Sequence, residues 1–445
     1  VSWLLLAAPM ACRSTLLLNQ LLVLQEPFTG FNWPARVLCS VLLIFFAPAM
    51  ALGTISPVMA KIALQRSSAV GTTIGSVYAW ATVGSIVGTL ATGFYLISWL
   101  GAQAVVLVVT LGLAVIGLYL GPHRIVHAFW VVVVIGALYM AHGPTASADD
   151  MGYKLGFKEM DYIFNTDSDY QYIKVYAEDS DRDPDRELRI LALDFLIHGY
   201  IDMNDPTHLE YRYERIYRDV ALRYIGGRER IAAFFIGGGS YTFPRWVMHR
   251  FPGSRVDVAE IDPLVVEANH AALGLPRDTP IRTHIGDARN ALDDLPAGTR
   301  FDVIFGDAFN DLSVPYHLTT REFNDKLARH LRPDGAYLMN VIDDIRHGLF
   351  LGAVVATLRR TFDHVHVFCT DRDGVSPGRE TFVVSASDRA LDVSSWLPGH
   401  ETEFDGSALT DKDIRSLLRR SGARVLTDDD APVENLLAPV VRARR

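Results

Sequence analysis

Three cysteines in 445 residues, Cys12, Cys39 and Cys369, have no metal-ligand spacing, and two lie in apolar segments, so neither a disulfide framework nor a zinc site is expected. The 14 histidines are scattered, with no H-x-x-x-H pair on a convincing helix, and no structural metal is expected. Positive charge is also scarce. Lys and Arg number 42 against 51 Asp and Glu, a net charge of −9 that argues against a general nucleic-acid binder. The deficit of charge is uneven: residues 1–141 carry few charges of either sign, whereas 149–445 are acid-rich with a globular composition.

Long apolar runs fill the first half. Five segments, Trp3–Leu24, Val37–Met59, Thr73–Trp99, Ala102–Leu120 and Ile125–Ala141, approach the length of about 20 residues needed to cross a bilayer. One span follows another, which does not fit a cleaved signal peptide. The expectation is a multi-pass protein of the plasma membrane, in contact with lipid. Gly84 and Gly88 form a G-x-x-x-G pair suited to close helix packing. No carboxylate lies within the spans, so no proton or cation relay is expected. Lys61, Arg66 and Arg124 place their loops in the cytoplasm by the positive-inside rule, which leaves the region after Ala141 outside. A nucleotide-using domain needs the cytoplasm, so the two readings conflict. The first residue, Val1, reads as a non-Met start or a truncation.

After a polar linker at 142–160, Tyr170–Tyr176 and Leu188–Phe195 read as a hairpin and His208–Ile225 as a helix. Then Ile231–Asp262 reads strand, glycine turn (Gly237, Gly238, Gly239), helix, strand, and an acid, Glu260, at the second strand's end. Glycines let backbone approach a ligand, and an acid there can accept hydrogen bonds from ribose hydroxyls. Further strands end at Gly286-Asp287-Ala288 and at Asp307. Strands alternating with helices predict a parallel, doubly wound α/β sheet, in which the glycine turn, Glu260, Asp287 and Asp307 converge beyond the strands' carboxyl ends.

The order of Q-x-I-x-V at Gln171, L-x-L-D at Asp194, GGG, E-I-D, G-D-A, D-V-I-x-x-D and L-T-T-R-E-F resembles the spermidine synthase (aminopropyltransferase) family over roughly residues 165–390. With its apolar front, and with Ser76–Gly84 and Thr427–Leu436, the chain looks most like the membrane-fused bacterial members. The resemblance implies a helical transmembrane domain (1–145), a linker, β-rich subdomain and connecting helix (146–228), a seven-stranded methyltransferase-type Rossmann domain (229–390) and a C-terminal extension (391–445). It implies transfer of an aminopropyl group from decarboxylated S-adenosylmethionine to a polyamine acceptor such as putrescine, with no tightly bound cofactor and no metal. A homo-oligomer is compatible with it. Carried over, Gln171 contacts the nucleoside, Glu260 with Ile261 the ribose, and Asp287 with Ala288 the adenine. Gly237, Gly238, Gly239 and Ser240 form the donor turn. Asp307 sits beside the attacking amine, and Tyr213, Glu214, Asn310 and Asp311 face the acceptor.

Five positions depart from the family pattern. Ser240 replaces the turn's acid, Asn310 the second acid of D-x-x-D, and Tyr213 the histidine of Y-H-E; L-D-G-x-x-Q reads with Phe195 and His198. The nucleoside side is therefore better kept than the amine side. Plainer readings stand beside these roles. Asp287 can be only a helix cap, Glu260 a solvated strand end, Glu214 a surface partner of Arg218, and Asp428–Asp430 a solvated loop. The tail, Arg442–Arg445, reads as disordered. Two other functions stay open: methyl transfer from S-adenosylmethionine, and a transporter or sensor that binds polyamine or nucleoside without turnover.

Overall fold

The computed structural model describes residues 33–65, 69–120, 162–194, 196–308, 314–371, 378–398 and 403–443, with a few positions between 125 and 135. Two compact units divide the chain, residues 1–161 with 167–169, and residues 162–166 with 170–445. The expected spans Trp3–Leu24 and, in large part, Ile125–Ala141 lie outside the described residues, as do the linker 142–160, Phe195, Asn310 and Asp311.

The first unit is helical: α1 Trp33–Gly53, α2 Ile55–Leu64, α3 Val70–Ala91, a π-helical turn Thr92–Leu96, and α4 Ile97–Leu120. No Pro falls between 58 and 121, which suits helix, and within α3 Thr82 and Ser85 donate to Tyr78 O and Ala81 O one turn back at 2.9 Å. The expectation of a multi-pass membrane protein is corrected here. Among the described residues one continuous helical segment, Val70–Leu96, with mean hydropathy 1.4, is long and apolar enough to cross a bilayer. The expected span Val37–Met59 is broken at Thr54 between α1 and α2. No described atom lies within 4 Å of a Cβ placed at Gly84 or Gly88, so their expected packing role finds no partner among the described residues.

The second unit opens with a four-stranded sheet in sequential order, β1 Phe164–Asp167, β2 Tyr172–Asp179, β3 Glu187–Leu193 and β4 Leu196–Ile201. The expected hairpin is β2 and β3; β4 was not expected. After α5 Arg212–Ile225 the chain alternates: β5 Ala232–Ile236, α6 Thr242–Arg250, β6 Arg255–Glu260, α7 Pro263–Ala272, β7 Arg282–Ile285, α8 Ala288–Asp293, β8 Phe301–Gly306, α9 Arg321–His330, β9 Leu331–Asp344, α10 Phe350–Leu358. Then come β10 His364–Cys369, β11 Arg379–Ser387, β12 Ser407–Ala408, α11 Asp411–Arg420 and α12 Val433–Ala443. The large sheet has the order β7-β6-β5-β8-β9-β11-β10-β12. The strands from β7 to β9 are parallel and the remaining pairings antiparallel. This is the expected seven-stranded Rossmann-type sheet with the two-residue β12 added at its edge.

Alternation along the strands sends Phe234 and Ile236 to one buried layer and Ala233 and Phe235 to the other. From the C-terminal extension, Leu409, Ile414, Leu417, Leu426, Val433, Leu436 and Leu437 belong to the first of these layers. The small sheet packs Ile173, Val175, Leu191 and Leu193 against Val265, Ala268 and Ala272 of α7. Helix starts are set by side-chain caps, with Asp262 accepting from Leu264 N before Pro263 at the first turn, and Thr410 and Asp413 in a capping box. Because β5 has β6 on one side and β8 on the other, the strand order reverses there, and a crevice opens beyond the carboxyl ends of β5 and β8.

Candidate active site

A cavity of about 620 Å³ occupies that crevice. Its floor is the turn after β5. Gly237 has φ +96°, and a Cβ there would stand 2.2 Å from Asp307 O, so only glycine fits. The turn closes with Tyr241 N donating to Gly238 O at 2.9 Å, Tyr241 itself being left-handed at φ +55°. Asn269 Nδ2 donates to Gly239 O (2.7 Å) and Arg245 to Ser240 O (3.0 Å). The turn is thus fixed from outside by α6 and α7.

Glu260, at the end of β6, is only 7% exposed. Its Oε2 accepts from Gly238 N at 2.8 Å and its Oε1 from Asp262 N at 2.9 Å. Burial raises its pKa and these backbone donors hold the rise back. The solvated strand-end reading is therefore excluded. Asp307, at the end of β8, accepts from Tyr213 OH at 2.8 Å on Oδ2 and from Asn340 Nδ2 at 2.9 Å on Oδ1. Its backbone N–H donates to Ile236 O (2.8 Å), which ties it to the glycine turn. Burial raises its pKa, against the two donors.

Glu214 is 4% exposed and lines the same cavity. Arg218 pairs with Asp219, so the surface-pair reading of Glu214 is corrected. Burial first, then the Asp307 charge, lifts its pKa to about 8. The Tyr213 hydroxyl is pushed well above its usual value by burial and by Asp307.

The cavity brings together Tyr213, Glu214, Gly237, Gly238, Gly239, Ser240 and Asp307 among the predicted residues. Glu260 reaches it through Gly238. Asp287, Ala288, Ile261 and Gln171 are not among its lining residues. Asp287 caps α8, with Oδ1 accepting from Arg289 N at 2.9 Å, while His317 Nε2 lies 2.7 Å from Oδ2. Ala288 is buried behind it, and Ile261 is 44% exposed. Gln171 is half-buried at the start of β2. Sequence reasoning missed Asn340, Arg379 and Glu380 as cavity residues. For Asn340 a signal existed: a lone amide inside the apolar run of β9 needs a partner. Among the described residues no group of three His, Cys, Asp or Glu side chains is placed to hold a metal.

Fold and site together define a Rossmann-type domain preceded by a small β-sheet, with a buried carboxylate lining a cavity beside the glycine turn. No family model matches the chain. It is 27% identical over 222 residues to a protein described as "Probable polyamine aminopropyl transferase" from Bifidobacterium longum, covering 46% of this chain and 48% of that one. It is 27% identical over 205 residues to spermidine synthase 1 of Hyoscyamus niger, covering 45% and 60%. The chain thus spans about half the length of these curated relatives. A crystal structure described as a probable spermidine synthase from Corynebacterium glutamicum superposes with a TM-score of 0.51 at 22% identity, covering 60% of this chain and 97% of that one. The chain is thus similar in sequence to aminopropyltransferases over somewhat under half of its length, and the superposition shows a shared fold.

Proposed function

We propose that the chain transfers an aminopropyl group from decarboxylated S-adenosylmethionine to an amine such as putrescine. The observation that carries this reading is Asp307, held by Tyr213 and Asn340 at the wall of a cavity floored by the glycine turn. The electrophile is a sulfonium and the nucleophile an amine that must be neutral to attack. A buried carboxylate at the cavity wall attracts both and orients the amine. Positioning of the two reactants supplies much of the remaining acceleration.

On the donor side, Glu260 spends one hydrogen bond on each oxygen and keeps acceptor capacity for ribose hydroxyls. Ile261 and Ile285, 44% and 55% exposed, are apolar surface near Glu260 and Asp287, suited to the faces of a base. An adenine amine on Asp287 would replace His317 as its partner. Gln171 is assigned to the nucleoside, and Asn310 and Asp311 to the acceptor side, by resemblance alone. The co-substrate is the nucleoside donor; no tightly bound cofactor enters the scheme.

One feature favours a second reading. Ser240 is uncharged and its hydroxyl lies 2.6 Å from Thr242 Oγ1, while Arg379 lines the same cavity. An arginine suits a donor that retains its carboxylate, which would mean methyl transfer from S-adenosylmethionine. Incubating the full chain with either donor and a panel of amines, then identifying the nucleoside product by mass spectrometry, separates the readings. Amine-dependent methylthioadenosine supports the first and adenosylhomocysteine the second. Nucleoside binding without either product would leave a binding protein, a sensor or transporter component.

A further inference from the structure

Tyr241 is fully buried, yet its backbone stands where side chains are rarely found. Its φ of +55° lies in the left-handed region, which costs free energy for any residue with a Cβ. Such strain persists only where the surroundings hold it in place. Two contacts do so here. The ring edge lies against Gly238: a Cβ on that glycine would stand 2.7 Å from Tyr241 Cε2 and 3.2 Å from Glu260 Oε2. The hydroxyl shares a hydrogen bond of 3.0 Å with Thr283 Oγ1.

The topology gives these contacts a direction. The glycine turn follows β5, Glu260 ends β6 and Thr283 lies in β7, and the three strands are neighbours in the order β7-β6-β5. Thr283 is in register with Val258, two residues before Glu260. Tyr241 and Val258 share a buried layer. The tyrosine therefore runs from the turn, across the end of β6, to β7. Burial raises the pKa of its hydroxyl, against the Thr283 bond and with the Glu260 charge, so the group stays neutral and the bond is kept.

We infer that Tyr241 and Thr283 form a positioning latch for the nucleoside donor, tying the glycine turn to β7 so that Gly238 and Glu260 meet the ribose in one fixed geometry. This rests on the donor side of the reading above. Neither latch residue is among those lining the cavity, so both act through Gly238, whose N–H donates to Glu260 Oε2 at 2.8 Å. The strain makes the latch sensitive. A left-handed tyrosine relaxes toward ordinary backbone once its hydroxyl is released, and the shift carries Gly238 N–H away from Glu260. Asp307 is held separately, by Tyr213 and Asn340. The latch thus bears on donor binding and not on the chemical step.

The test uses the full-length wild type, Tyr241→Phe, Thr283→Val and the double variant. Both substitutions keep the shape of the side chain and delete the shared bond. Each single variant should weaken methylthioadenosine binding by calorimetry about fivefold to tenfold, and the double no more than the weaker single. With decarboxylated S-adenosylmethionine and putrescine, donor KM should rise in parallel while kcat stays within about twofold. In a Glu260→Gln background, Tyr241→Phe should add less than about twofold, because the latch acts through that carboxylate. Wild-type affinity in both single variants, even with a lowered urea midpoint, overturns the inference and leaves the transfer reading intact. An additive double variant, or a loss confined to kcat, does the same. If Tyr241→Phe does not fold, Thr283→Val at its half-buried position decides by the same affinity criterion. Wild type that binds methylthioadenosine but gives no amine-dependent turnover overturns the transfer reading alone, and the binding series still decides the latch. Wild type that binds no methylthioadenosine overturns both.

Discussion

Glu260 and Asp307 stand at the ends of the two parallel strands that flank β5, lie on either side of the glycine turn, and are both buried carboxylates, yet they are held in opposite ways. Glu260 is held by main chain, the N–H groups of Gly238 and Asp262, both within 22 residues of it. Asp307 is held by side chains, Tyr213 from 94 residues upstream and Asn340 from 33 downstream. The first arrangement follows from local geometry and shapes the turn. The second depends on the whole sheet closing correctly, and it leaves a carboxylate whose surroundings can be tuned by single substitutions. On the proposed reading, a binding platform and a reactive centre are built from the same type of group.

That contrast can be broken at several points. Asp307→Asn should cut turnover at least about 1,000-fold while methylthioadenosine affinity by calorimetry stays within about threefold; full turnover would remove Asp307 from the chemistry. Gly237→Ala forces a side chain into positive φ and against Asp307 O, and should cost about 3 kcal/mol in urea unfolding. An unchanged midpoint would mean the turn relaxes freely.

Glu214 supplies a pH test of comparable size. Its folded pKa of about 8 lies above the usual 4.5, so the native state keeps a proton that the unfolded chain has released. The associated stability is full below 4.5 and is lost as pH rises through about 8, a loss on the order of a few kcal/mol. Glu214→Gln should flatten that slope in unfolding curves taken at acid and alkaline pH, and an unaltered slope would show that Glu214 ionises normally. Glu260→Gln, which turns an amide donor toward a backbone N–H, should cost about 1–3 kcal/mol and weaken nucleoside binding. A larger effect on turnover than on nucleoside binding would erase the contrast with Asp307. The smallest effect belongs to the outer latch. Arg289 pairs bidentately with the half-exposed Asp428, and Asp428→Ala should change stability by about 0.5 kcal/mol and activity hardly at all.

The main strands and the carboxylates at their ends were legible because five- and six-residue apolar runs bounded by glycine or acid are distinctive in a parallel sheet. β4 was hidden. Its sequence, LIHGYI, carries a histidine and a glycine, and it follows β3 through a two-residue turn with Asp194 at φ +52°. α11 was hidden because its core-facing stripe is short, with Ile414 and Leu417 buried and Leu418 partly buried against the core. Glu214 was half legible. It shares a helical stripe with Tyr217, Ala221 and Tyr224, all buried, but the Arg218 four residues on offered an equally regular surface pair. Asn340 required knowing that β9 lies beside β8. Asp428, read as part of a solvated acidic run, instead bonds Thr320 at 2.7 Å as well as Arg289. Such partners more than 100 residues apart are a product of topology and leave no local trace.

Gly199 has no side chain, and the space a Cβ would fill is taken by the Ser240 hydroxyl, 1.8 Å from that point. The two positions are therefore sterically interlocked. A carboxylate placed at 240 in the rotamer the serine adopts would drive into the backbone of β4, and a larger residue at 199 would evict the serine. Any change of donor preference would more readily pass through the opposite wall of the cavity, where Arg379 and Glu380 stand outside that interlock.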